Sequence, residues 1–152
     1  MILEDIQHLV NTDEATALCL SKGGWEGWLQ CQLWLYLTIE KDVLVEREVS
    51  YPDSNTRCDL VIEDDGDQLW IEIKAYGIFR ESRINSFLDG VALDISKLED
   101  RPAGTTGLVT VVVPNAIAES FYEGIKSRHW LGFEVEEGEY AVIFYMFLGY
   151  EQ

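Results

Sequence analysis

The chain has 152 residues, enough for one domain with a genuine core. At 47% hydrophobic and 26% charged it has the balance of a globular protein and excludes a low-complexity or disordered chain. Its net charge of −17 argues against an extensive basic surface, the usual footprint of a polyanion binder.

The opening MILEDIQHLV carries acids where a signal peptide needs basic residues, so a helix is expected over 3–10. A second helix starts near Thr12, with Asp13 and Glu14 in its first turn as the helix dipole favours, and stops before Gly23-Gly24. Residues 25–40 read as a longer helix, apolar around much of its circumference and therefore expected to be buried on more than one side. Residues 43–51 alternate and are β-branched, a strand ending at Pro52. Two more strands, 57–63 and 68–76, flank an Asp-Gly turn. Residues 82–99 are helical in period, with Phe87, Val91, Ile95 and Leu98 on one stripe. After a loop over 102–107, the run 108–113 is apolar throughout, as in a central strand. A helix over 117–126 and strands at 133–135 and 140–148 complete the chain.

This order predicts an α/β fold: a single domain over 1–152 with a mixed central sheet flanked by helices. No apolar run approaches the eighteen or so residues of a membrane-spanning helix, and a cytoplasmic protein without a membrane partner is expected.

Cysteine and histidine chemistry is poorly supported. Cys19, Cys31 and Cys58 are odd in number and irregularly spaced, with no C-x-x-C unit for zinc. Cys31 lies in an apolar helical stretch, where a buried free thiol is expected. His8 and His129 are far apart and receive no role.

The strongest local signal lies in Asp59-Leu-Val-Ile-Glu-Asp-Asp-Gly-Asp-Gln-Leu-Trp-Ile-Glu-Ile-Lys74. Asp65-Gly66 favours a two-residue type I′ turn, because both central positions need positive φ. Asp64 then faces Asp67, and outward pairing sets Asp59 opposite Glu72. With alternating side chains, Leu60, Ile62, Leu69, Ile71 and Ile73 share one face. Asp59, Val61, Glu63, Trp70, Glu72 and Lys74 share the other. Opposed carboxylates about 5 Å apart repel, by about 3 kcal/mol at an effective dielectric near 20. A divalent cation reverses the sign, and Mg²⁺ suits hard oxygen ligands supplemented by water. Lys74, on the same side, can meet a water or a developing negative charge.

Asp59 followed by Glu72-Ile73-Lys74 on the neighbouring strand resembles the core of the PD-(D/E)XK, or restriction-endonuclease-like, nuclease superfamily. The resemblance covers roughly residues 23–113, including a helix before the hairpin and an α-β-α-β continuation after it. It implies a restriction-endonuclease-like core and Mg²⁺ (or Mn²⁺) held by Asp59 and Glu72, assisted by the Ile73 carbonyl, with Lys74 activating water. It also implies a glutamate from the preceding helix, for which Glu26 is the best match.

Glu26 and Gln30 lie one turn apart on the stripe of Leu33 and Leu37, an expensive place for an acid unless it is paired, protonated or metal-bound. Glu46 and Glu48 are expected to be surface acids, and Pro52-Asp53, which mimics the family name, a turn. Asp94-Ile-Ser-Lys97-Leu also resembles a helix that follows the hairpin in some family members, but a salt-bridged helical surface is the expectation. Trp25, Trp28 and Trp34 are expected in the core, with Trp70 the aromatic nearest a substrate.

Two functions follow. One is a Mg²⁺-dependent nuclease acting on nucleic acid, DNA in the first place, through an oligomer or a basic partner subunit if its own charge keeps DNA away. Arg80, Arg83, Lys97 and Arg101 offer a local basic surface for it. The other is a catalytically inactive interaction module on the same fold, immunity-like or regulatory, whose acidic surface binds a basic protein. The charge favours the second and the acid, acid and lysine set the first.

Overall fold

The computed structural model describes residues 2–19, 25–77 and 84–149. Gly23, Gly24, Arg80 and Arg83 lie outside these residues. Three helices come first: α1 (Ile2–Val10), α2 (Asp13–Cys19) and α3 (Glu26–Ile39). A β-meander of β1 (Leu44–Ser50), β2 (Arg57–Asp64) and β3 (Asp67–Ala75) follows. Then come α4 (Ile84–Glu99), β4 (Thr106–Pro114), α5 (Asn115–Ser127), β5 (Glu134–Glu136) and β6 (Ala141–Leu148). The six strands form one mixed sheet in the order β1-β2-β3-β4-β6-β5, in which only β3 and β4 pair in parallel.

Local chemistry explains most boundaries. Thr12 caps α2, its Oγ1 accepting the Ala15 amide at 3.1 Å. The β2–β3 turn has φ of 50° at Asp65 and 85° at Gly66, the positive pair that a type I′ turn requires. Arg101 closes the end of α4, donating to the carbonyls of Leu98 and Thr105.

Helices cover both faces of the sheet, making an α/β/α arrangement with two cores. Leu3, Ile6, Leu29, Leu33 and Leu37 of α1 and α3 pack on Leu60, Ile71, Ile73, Leu108 and Ile143. On the other face Phe87, Val91 and Leu98 of α4 and Phe121 of α5 pack on Val61, Val109, Val111 and Phe144. Strand β4 lies between the two cores, which is why its valine run shows no alternation.

Two expectations from sequence require correction. Cys31 is exposed, and so are Leu35 (45%) and Ile39 (67%), so α3 buries one side only. Arg101 is half-buried, its guanidinium donating to the carbonyls of Leu98 and Thr105. Glu46 and Glu48 are exposed, and Pro52-Asp53 is an exposed turn with φ of 55° at Asp53, as expected. No helix among the described residues is long and apolar enough to cross a membrane.

Candidate functional site

The site forms where β2, β3, α3 and α4 meet. Glu72 and Lys74 project from β3 toward α4, beside the buried Trp70 and Tyr76. The β2–β3 register continues from Leu60–Ile71 to set Asp59 level with Glu72, but regular pairing stops one position short. Instead, the Asp59 side chain reaches across and its Oδ2 accepts the Ile73 amide at 2.7 Å. The neighbouring β1 is irregular at the same level. Glu48 has φ of 55°, and the β1–β2 register omits Glu48 and Asp59 while pairing the residues around them. Beyond this twist Cys58 joins the same core as Val61, which simple alternation does not allow.

Glu26 reaches the site from the first turn of α3. Trp25 anchors that turn by donating its indole N–H to the Tyr76 carbonyl at 2.8 Å. Glu26 Oε1 accepts the Ala75 amide at 3.1 Å and lies 4.0 Å from Lys74 Nζ. All four side-chain positions singled out from sequence, Glu26, Asp59, Glu72 and Lys74, therefore converge. The Ile73 side chain belongs to the opposite core, and its backbone enters the site through the amide.

Sequence reasoning missed three members. Tyr51, 2% exposed, donates its hydroxyl to Glu72 Oε1 at 2.7 Å. Lys97 Nζ lies 3.1 Å from the same oxygen. Asp94 Oδ2 lies 3.6 Å from Lys74 Nζ, and its side chain is 7% exposed. The expected surface ion pair within α4 is thus two inward-facing groups, each paired with β3. Trp70 is also corrected: it is 4% exposed and stacks against Tyr51 at 5.2 Å, a core residue supporting the site from beneath. Only the i, i+3 spacing of Asp94 and Lys97 hinted at a shared helix face; the crossover that aims this face at β3 is tertiary.

Four carboxylates (Glu26, Asp59, Glu72, Asp94) and two ammonium groups (Lys74, Lys97) leave a formal excess of two negative charges when all are ionised. Glu72 is 1% exposed. Burial, then the neighbouring Asp59 charge, pushes its carboxyl up to about 8, against the pull of Tyr51 and Lys97. Burial likewise raises Asp94 to about 6, despite Lys74. Glu26 and Asp59 are also raised by burial, opposed chiefly by Lys74 and by the Ile73 amide respectively. Burial acts to lower Lys74 and Lys97, but the carboxylates outweigh it and both are raised. Both lysines are therefore cationic at neutral pH. Desolvation pushes the Cys58 thiol up to about 12, which makes it unreactive.

Among the described residues no three His, Cys, Asp or Glu side chains converge as a metal-ligand group. A Mg²⁺ site does not require three, because one or two carboxylates, water and substrate phosphate commonly complete its shell. Asp59 and Glu72, two neighbouring hard oxygen donors, fit that requirement. Two concavities, of about 520 and 570 Å³, lie beside α1 and contain none of the clustered residues. The first is lined by Leu37, Ile62 and Phe147 together with Asp5, Lys41, Asp64 and Asp67. The chemistry of the donor set, rather than cavity size, makes the carboxylate cluster the candidate site. No protein-family model, curated protein or solved structure matches the chain.

Proposed function

We propose that this protein is a Mg²⁺- or Mn²⁺-dependent nuclease-like hydrolase of phosphodiester bonds, built on a restriction-endonuclease-like core. The observation that carries this reading is the convergence of Asp59, Glu72, Lys74 and Glu26 in a partly buried, carboxylate-rich cluster. Asp59 and Glu72 would hold the cation, with the Ile73 carbonyl and Glu26 as accessory oxygen donors. When bound, the ion supplies Lewis-acid polarisation of a phosphoryl oxygen and lowers the pKa of a coordinated water.

The protein's own groups divide the remaining work. Lys74, held by Asp94 and Glu26, acts as a cation: it orients water or a phosphate oxygen and offsets negative charge developing there. Its raised pKa makes it unsuited to proton removal. Glu26 is the better proton acceptor, a carboxylate made more basic by burial. Lys74→Ala is expected to lower cleavage of a Mg²⁺-supplemented DNA substrate by about 10²–10³-fold with the fold intact. Unchanged cleavage would remove Lys74 from the mechanism.

The net charge of −17 supports a second reading, an inactive module on this fold whose acidic surface binds a basic protein. In that case neutralising exposed acids weakens association while Lys74→Ala leaves it intact. If the protein is active, the same charge favours DNA access through an oligomer or a basic partner subunit.

A further inference from the structure

An ionised carboxylate as enclosed as Glu72 needs a cationic partner. Lys97 supplies one from another element: its Nζ lies 3.1 Å from Glu72 Oε1, the oxygen that also accepts the Tyr51 hydroxyl. One turn earlier on α4, Asp94 is paired with Lys74. Helix α4 therefore presents an acid and a lysine to the lysine and glutamate of β3, each to its opposite. Lys97 thus gives Glu72 a cationic partner without any metal, at contact distance from one of its oxygens.

A divalent ion and an ammonium group cannot share this enclosed carboxylate without repelling each other, and little solvent is present to screen them. Lys97 can give way: its side chain is 19% exposed, and four methylenes let the ammonium swing while α4 stays in place. Resting on the reading of this cluster as a metal centre, we propose that Lys97 is a built-in competitor for the cation. Metal loading transfers Glu72 from Lys97 to the ion. Lys97 thereby weakens metal affinity and keeps Glu72 paired in the metal-free site.

The test uses the full chain in two measurements. In Mn²⁺ titrations followed by calorimetry, Lys97→Met and Lys97→Gln are each expected to bind about tenfold more tightly than wild type. Lys74→Met, which removes the same charge but leaves Lys97 beside Glu72, is expected to change affinity less. In side-chain NMR of the wild type, the Lys97 ammonium resonance is expected to move on Mg²⁺ saturation toward its position in metal-free Glu72→Gln. This second readout does not depend on the Lys97 variants folding. Metal binding with unchanged or weaker affinity in both Lys97 variants, or with a stationary Lys97 resonance, overturns the competition alone. Failure of wild type and all variants to bind either metal overturns the metal centre and the competition together.

Discussion

Glu72 is the residue on which the site turns, and its environment explains why. It combines near-complete burial, a neighbouring carboxylate and two donors on one oxygen. Tyr51 is a positioning residue: its hydroxyl fixes Glu72, and its ring rests on Trp70. Tyr51→Phe keeps the packing and removes the hydrogen bond, so Mn²⁺ affinity measured by calorimetry is expected to fall about 10–100-fold. An unchanged affinity would make Tyr51 purely structural. The sequence reveals Glu72 and Lys74 through alternation and Asp59 through turn register. It does not reveal Tyr51, which lies on the neighbouring hairpin arm and joins the site only through sheet geometry. It also conceals the twist at Glu48, since no glycine marks that positive φ.

At the scale of elements, hydrophobic period and turn chemistry were sufficient for most of the fold. The Asp-Gly turn set the β2–β3 register, and the unbroken valines of β4 marked the centre of the sheet. Helix α3 was harder, because residues apolar on all sides give no direction. Only packing decides that Leu29, Leu33 and Leu37 face the sheet while Leu35 and Ile39 do not. Asp94 and Lys97 looked like a solvated pair for a related reason: charges on an amphipathic helix usually face water, and the β3-α4-β4 crossover overrides that preference. The core that backs the site depends on Phe121, which packs against both Phe87 and Phe144. Phe121→Ala is expected to cost about 3–5 kcal/mol in denaturant unfolding. A loss below about 1 kcal/mol would show that this core collapses readily around the gap.

Across the whole molecule, electrostatics sets the conditions under which the site can exist. Glu72 and Asp94 have carboxyls raised to about 8 and about 6, and Glu26 and Asp59 are raised as well. Between the ordinary carboxylate range and pH 8 the folded protein therefore binds more protons than the unfolded chain. The stability from these groups is complete below the ordinary range and is lost as pH rises through 6 and then 8. The melting temperature of the metal-free protein is expected to fall over that interval, and Glu72→Gln is expected to flatten the fall. Equal pH profiles for the two proteins would contradict the raised Glu72 carboxyl.

Asp59 and Glu72 are proposed to form a divalent-metal site that serves phosphodiester hydrolysis. Calorimetric titration of Mg²⁺ and Mn²⁺ into wild type and Glu72→Ala, followed by cleavage assays on both, tests it most directly. The expected result is saturable binding and cleavage by wild type, with both lost in Glu72→Ala. No binding, or equal binding by the two proteins, would contradict the metal site.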